Sequence, residues 1–139
     1  MKINYLNHID RASVKKNRLF LFVFGDNDQR KGFGGLAKQV RGEPNSFGIR
    51  VKKEPKRDIT SYYNDDEYED NIKKIGADIS QLSKKMDNYN AVVFPKAGIG
   101  RGLALMHLKA PKTYKFLYES LLSIGIDNER DINKEVSIH

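Results

Sequence analysis

The sequence predicts an α/β sandwich with a largely parallel or mixed sheet. Two unbroken apolar segments, residues 19–24 and 91–94, consist of leucine, phenylalanine, valine and alanine. Continuous apolarity is typical of central strands that are buried on both faces. Between these segments lies a long helical pattern, and strands that alternate with helices along a chain favour this fold class.

The remaining strands and the first helix are shorter. Residues 2–6 predict a short strand, and residues 47–52 alternate between apolar and polar side chains, as in a strand nearer an edge. The turn-forming residues Gly25-Asp26-Asn27 are expected to stop the first central strand. Residues 34–41 predict a short helix that is entered through glycines.

Two longer helices have clear patterns. One apolar stripe has spacings of three and four residues and predicts an amphipathic helix. Its members are Tyr68, Ile72, Ile75, Ile79, Leu82 and Met86. Acidic residues 65–67 lie at its start, where the helix dipole favours anions. Pro111 suits the first turn of another helix, which Gly125 can end.

Length and composition limit the function classes. The 139 residues fit one domain, assigned to 1–126, with 127–139 as a polar tail in which 135–138 form an edge strand or are disordered. Without cysteine there is no disulfide, thiolate zinc site or cysteine nucleophile. The three histidines lack ligand spacing, so we expect neither a metal nor a cofactor. Without a spanning segment or signal-like N-terminus, we expect no membrane partner and a cytoplasmic location.

The positive charge is concentrated at one end of the chain. The formal net charge is +7, but residues 1–57 alone carry 14 basic and five acidic side chains. This distribution indicates either an anion-binding site in that region or a solvated basic face without a specific ligand.

Two glycine-rich loops follow the two apolar strands. The first glycine loop (residues 25–37) leads into a helix, and the second glycine loop is residues 95–104. Ligands of open α/β sheets bind at the carboxyl ends of the strands, and glycines let backbone amides approach phosphate closely. We therefore expect the two loops to flank one phosphate-binding cleft. Tight turns and a flexible surface loop are the alternatives.

Five segments together resemble a family of small uncharacterised bacterial and phage proteins: residues 24–27, 32–37, 41–49, 63–68 and 94–104. More distantly, their layout resembles the macro domain, an ADP-ribose-binding, three-layer α/β/α sandwich with a mixed sheet. Macro domains have an asparagine before a glycine run, as Asn27 precedes Gly34-Gly35-Leu36. They also have Phe-Pro before a glycine-rich phosphate loop, as Phe94-Pro95 precedes Gly98-Ile99-Gly100.

The resemblance implies a site for ADP-ribose or a related nucleotide. Residues 34–36 would line the pyrophosphate and distal ribose, and residues 98–102 would wrap the phosphates from the other side. The full set of predicted ligand-binding residues is Gly25, Gly32, Gly34, Gly35, Leu36, Pro95, Lys96, Gly98, Ile99, Gly100, Arg101 and Gly102.

The resemblance also admits hydrolysis of an ADP-ribosyl bond. One branch of macro hydrolases uses the asparagine before the glycine run, which implies that Asn27 holds a ribose and an activated water. Another uses a lysine, matched by Lys52 or Lys53, and a late-loop aspartate, which this sequence lacks. From its residue type, Asp26 is a candidate general base or a turn cap. The candidate catalytic residues are Asn27, Asp26 and Lys52.

Two other functions fit the sequence. The basic segment also suits a non-specific nucleic-acid-binding protein, although no helix carries a basic stripe. A bacterial or phage protein that sequesters a nucleotide signal without catalysis would need the same cradle and no catalytic groups.

Overall fold

A four-stranded sheet, parallel throughout, forms the centre of the computed structural model, which describes residues 1–131. The strands are β1 (Lys2–Leu6), β2 (Phe20–Asn27), β3 (Ser46–Lys52) and β4 (Ala91–Pro95). Their order is β1-β4-β2-β3, so β2 and β4 are central and β3 lies at an edge, as predicted. The sheet is parallel rather than mixed in these residues, because long helix-containing connections return the chain between strands.

The helices within residues 1–126 are α1 (Arg11–Lys16), α2 (Ala37–Val40), α3 (Tyr68–Met86), α4 (Met106–Lys109) and α5 (Pro111–Ser123). Two 3₁₀ turns, Ile59–Ser61 and Asp65–Glu67, precede α3. The sequence patterns predicted α3 and α5 and missed α1, which lacks a long apolar stripe. Asp10 caps the N-terminus of α1, because its carboxylate accepts a hydrogen bond of 2.8 Å from the Ser13 amide.

The sheet is covered on both faces. Alternate residues of a strand point to opposite sides, and in β2 Leu21 packs in the cluster with α3 and α5 whereas Phe22 packs in the cluster with α1 and α2. The predicted α/β sandwich is therefore confirmed, with helices on each side of the sheet. In residues 1–131, no helix has the length and apolar character needed to cross a membrane.

Strand β2 is longer than expected. Gly25 and Asp26 do not stop it, because they pair with Ile49 and Arg50 of β3. The register then shifts between Asp26 and Asn27. After the shift, Asn27 pairs with Lys52, and these two residues end β2 and β3.

The packed unit continues past residue 126. Asn128 is 1% exposed, and its side chain bonds both backbone groups of Ile99. The Tyr5 hydroxyl accepts a hydrogen bond of 2.9 Å from the Asp127 amide. Residues 127 and 128 therefore join the body of the domain, and the strand considered at 135–138 lies outside the described residues.

Candidate functional site

A cavity of about 510 Å³ opens at the carboxyl ends of β2 and β3. Both glycine loops border it, together with the segment that follows β3. We call it the loop cavity. Its lining residues are Gly25, Asp26, Asn27, Lys31, Gly32, Phe33, Gly34, Ala37, Arg41, Val51, Lys52, Pro55, Lys56, Arg57, Tyr62, Gly102, Leu103, Ala104 and Leu105.

Glycines let the walls of the loop cavity approach one another. A Cβ atom at Gly34 would lie 3.2 Å from Leu103 Cδ1, so the two glycine loops touch there. Gly32 has a φ of +90°, and a Cβ atom on it would lie 2.9 Å from Pro55. A side chain at Gly32 would therefore be strained and would collide with the segment after β3.

Of the three other residues of the first glycine loop that were predicted to bind ligand, Gly25 lines the cavity, whereas Gly35 and Leu36 do not. Gly35 adopts a φ of +56°, and Leu36 packs against the apolar cluster below α2. Gly25 lies in β2 at the inner end of the loop cavity, where a Cβ atom would lie 3.2 Å from Val51 Cγ2. Gly25, Gly32 and Gly34 therefore line the cavity, whereas Leu36 anchors the following helix.

Asp26 is buried and held by two arginines. Its carboxylate accepts hydrogen bonds from Arg41 at 2.5 and 3.2 Å and from Arg30 at 3.3 Å. Arg41 also donates through Nε to the Gly32 carbonyl at 2.7 Å. The pair thus ties the first glycine loop to β2, and the carboxylate oxygens are engaged by guanidinium groups.

The Asn27 side chain is used within its own turn. Its Nδ2 donates to the Lys31 carbonyl at 2.7 Å, and its Oδ1 accepts from the Gln29 amide at 3.0 Å. Such bonds between an asparagine side chain and nearby backbone stabilise turns. Asn27 therefore shapes the loop from which Lys31 and Gly32 reach the cavity.

The Lys52 ammonium group has N–H donors that are not used in hydrogen bonds to protein atoms of the described residues. Lys52 is half-buried at the end of β3, where its Nζ donates to the Lys56 carbonyl and lies 4.5 Å from the centre of the Tyr62 ring. Burial, and then the nearby Arg57 guanidinium, lower the pKa of Lys52. An ammonium group carries three N–H donors, so two are left for a ligand.

Much of the second glycine loop serves packing. Gly98 (φ +80°) lies against Asn128 and Ile99 is 3% exposed in the main core. Gly100 has a φ of +80°, which favours glycine, and a Cβ atom there would lie 3.2 Å from Leu117 Cδ2, a tight contact. These glycines are explained by close contact with protein atoms.

Three further predicted ligand residues lie beside other partners. Pro95 ends β4, and the Lys96 amide donates to a β1 carbonyl at 2.9 Å. Arg101 donates to the Tyr114 hydroxyl at 3.2 Å and pairs with Glu129 at 3.4 Å. Of the predicted residues in this loop, Gly102 lines the loop cavity.

Sequence reasoning missed the apolar rim and part of the basic wall. Phe33 and Leu103, 65% and 54% exposed, lie on opposite glycine loops. Lys56 and Arg57, the missed cations, come from the segment after β3. The run Lys-Lys-Glu-Pro-Lys-Arg at 52–57 was visible in the sequence, but nothing local showed that it folds back over a cavity.

The loop cavity has a basic lining. Five cationic side chains contribute to it: Lys31, Arg41, Lys52, Lys56 and Arg57. Asp26 is the acidic side chain in the same lining, and it is neutralised by Arg41. The lining thus carries an excess of positive charge, which suits an anionic ligand.

Fold and cavity together define an α/β sandwich with a basic, glycine-bordered cavity at the carboxyl edge of a parallel sheet. The chain belongs to DUF7831, a family of unknown function, whose model matches residues 4–120. Comparisons with curated proteins and with solved structures gave no match.

Proposed function

We propose that this DUF7831 protein is a cytoplasmic protein that binds ADP-ribose or a related nucleotide in the loop cavity. The observation that carries the proposal is the basic, glycine-bordered lining of a cavity of about 510 Å³. Small-molecule sites typically have volumes of roughly 300–1,000 Å³. The excess positive charge suits phosphate, and exposed Phe33 offers an aromatic face for a base.

Binding is better supported than turnover. Hydrolysis of an ADP-ribosyl bond needs a group that activates water, and the Asp26 carboxylate is engaged by Arg41 and Arg30. Asn27 uses both ends of its amide in a turn. Lys52 retains free donors that would stabilise phosphate charge, and this role requires no chemistry.

Titration calorimetry with ADP-ribose, NAD and cyclic ADP-ribose tests the proposal. We expect saturable binding of at least one of them below about millimolar concentration, and heat from none of them would refute the proposal. Lys52→Met should weaken binding about tenfold, because a charged hydrogen bond to phosphate is lost. Lys84→Met, an exposed change on α3, is the control and should leave the affinity unchanged.

The exposed cations at the cavity mouth, Lys31, Lys56 and Arg57, also suit the second candidate, non-specific binding of nucleic acid. Salt separates the two functions, because affinity for a polyanion falls steeply with the logarithm of salt concentration. Binding of one nucleotide should depend on salt far less. Recovery of intact ligand from denatured protein would separate sequestration from hydrolysis.

A further inference from the structure

Cations next to Lys52 are paired with carboxylates. On β3, Arg50 pairs with buried Asp78 at 3.0 Å, and the neighbouring Lys53 pairs with Glu67. Lys52 lies between them in sequence, yet its ammonium faces a carbonyl and an aromatic ring. Unlike Arg50 and Lys53, Lys52 therefore has no carboxylate partner among residues 1–131.

A second ammonium group converges on the same ring. Lys109 Nζ, at the end of α4, lies 4.7 Å from the centre of the Tyr62 ring, against 4.5 Å for Lys52 Nζ. Arg57 lines the loop cavity together with Lys52, and, in addition to burial, its positive charge helps to lower the pKa of Lys52. Within the described part of the chain, neither Lys109 nor Arg57 forms an ion pair with a carboxylate.

Tyr62 provides the aromatic ring that both ammonium groups contact. Tyr62 is 8% exposed and lines the loop cavity. The face of an aromatic ring attracts cations, so the contact stabilises each ammonium group. An anion beside the ring would add the counter-charge that residues 1–131 do not provide for Lys52 and Lys109.

We propose that Lys52, Arg57 and Lys109 form a subsite for a terminal phosphate group, a phosphomonoester, of the ligand in the loop cavity. Lys52 and Arg57 line the cavity, and Lys109, which is not among its lining residues, contacts the Tyr62 ring that does line it. This inference rests on the proposed function and narrows its ligand class. ADP-ribose itself has no phosphomonoester, because both of its phosphates lie within the pyrophosphate bridge, so the inference favours related nucleotides that carry one. The subsite adds Lys109 and Arg57, which the sequence did not single out.

The charge and donor count favour a monoester over a diester. A phosphomonoester carries nearly two negative charges at neutral pH and three terminal oxygens, which match three separate cations. A phosphodiester has one charge and two such oxygens. Lys52 has two ammonium donors besides the one given to the Lys56 carbonyl, and the Arg57 guanidinium provides five.

Adenosine 5′-monophosphate and its methyl ester provide a matched pair of probes, because they differ in one methyl group and one charge. Calorimetry should give about tenfold tighter binding of the monophosphate at about pH 7.5. The difference should disappear at about pH 5, below the second phosphate pKa of about 6. Equal affinities at the higher pH would overturn the inference.

The variant Lys109→Met tests whether the preference for the monophosphate over its methyl ester arises at the proposed subsite. It should remove most of the preference for the monophosphate and leave the methyl ester affinity nearly unchanged. Lys112→Met is the matched control, because Lys112 Nζ lies 4.1 Å from the Tyr68 ring, a tyrosine that does not line the loop cavity. A preference that survives Lys109→Met would refute this assignment.

A separate titration with ADP-ribose distinguishes the two proposals. If ADP-ribose binds and the monophosphate has no advantage over its methyl ester, the subsite is wrong and the proposed function stands. If the monophosphate, its methyl ester, ADP-ribose, NAD and cyclic ADP-ribose all fail to bind, both proposals are refuted.

Discussion

Asp26→Asn should destabilise the protein without changing its shape. The substitution is isosteric, so it creates no cavity, and it removes the charge that faces Arg41 at 2.5 Å. The amide nitrogen would also replace an acceptor with a donor. We therefore expect Arg41 to lose its main partner while still bonded to the Gly32 carbonyl.

The burial of the pair sets the magnitude. The Asp26 side chain is 3% exposed and that of Arg41 is 16% exposed. Removing one partner of a buried pair costs about 3–5 kcal/mol. Because Arg41 retains some contact with water, we expect the lower end, about 3 kcal/mol, which lowers the Tm by roughly 10 °C in a domain of this size.

Urea denaturation followed by circular dichroism would measure this loss. Asp58→Asn is the control, because Asp58 is exposed and its carboxylate makes no side-chain cap hydrogen bond. The double variant Asp26→Asn/Arg41→Met should be less destabilised than the sum of its single variants by at least about 1 kcal/mol. A loss below about 0.5 kcal/mol for Asp26→Asn would refute the anchoring role of this carboxylate.

Three further predictions concern other contacts. Asn128→Ala should cost about 2–3 kcal/mol in urea denaturation, because it leaves the buried amide and carbonyl of Ile99 unpaired; a loss under about 1 kcal/mol would contradict this. Gly32→Ala should lower the Tm because of its positive φ and the contact with Pro55, and an unchanged Tm would show that the loop has room. The pKa of Asp65 is lowered: burial opposes the shift, but hydrogen bonds from two amides and a hydroxyl at the start of α5 outweigh it. The ionised Asp65 carboxylate should stabilise the fold fully above its ordinary pKa of 3.8, and this stabilisation should be lost as the pH falls through the lower pKa of the folded state. The urea midpoints of wild type and Asp65→Asn should therefore differ at neutral pH and converge in acid. A difference that stays constant with pH would contradict this.

Local sequence patterns were sufficient to predict the central strands β2 and β4 and the long helices α3 and α5. The β2 and β4 segments are continuously apolar because both faces of a central parallel strand are covered, and the stripe of α3 repeats because one face packs on the sheet. Pro111 marked the start of α5 for an equally local reason. The end of β2 did not follow from local propensity, because pairing with β3 carries the strand through Gly25 and Asp26.

The surroundings of the candidate site depended on distant partners. Asp26 has the residue type of a general base, and its engagement follows from Arg41, 15 positions away. The glycines at 98 and 100 resemble a phosphate loop in sequence, but they pack against Asn128 and Leu117. No periodicity or motif encodes such contacts.

A two-dimensional amide NMR titration of the wild-type protein with ADP-ribose tests most directly whether this nucleotide binds in the loop cavity. We predict that the amide signals of Gly25, Gly32, Gly34 and Gly102 shift in a saturable way, because these glycines line the cavity. The signals of Gly76 in α3 and of Gly125 after α5 should not move. Saturable shifts confined to residues outside the loop cavity, or no shifts at all, would contradict the account.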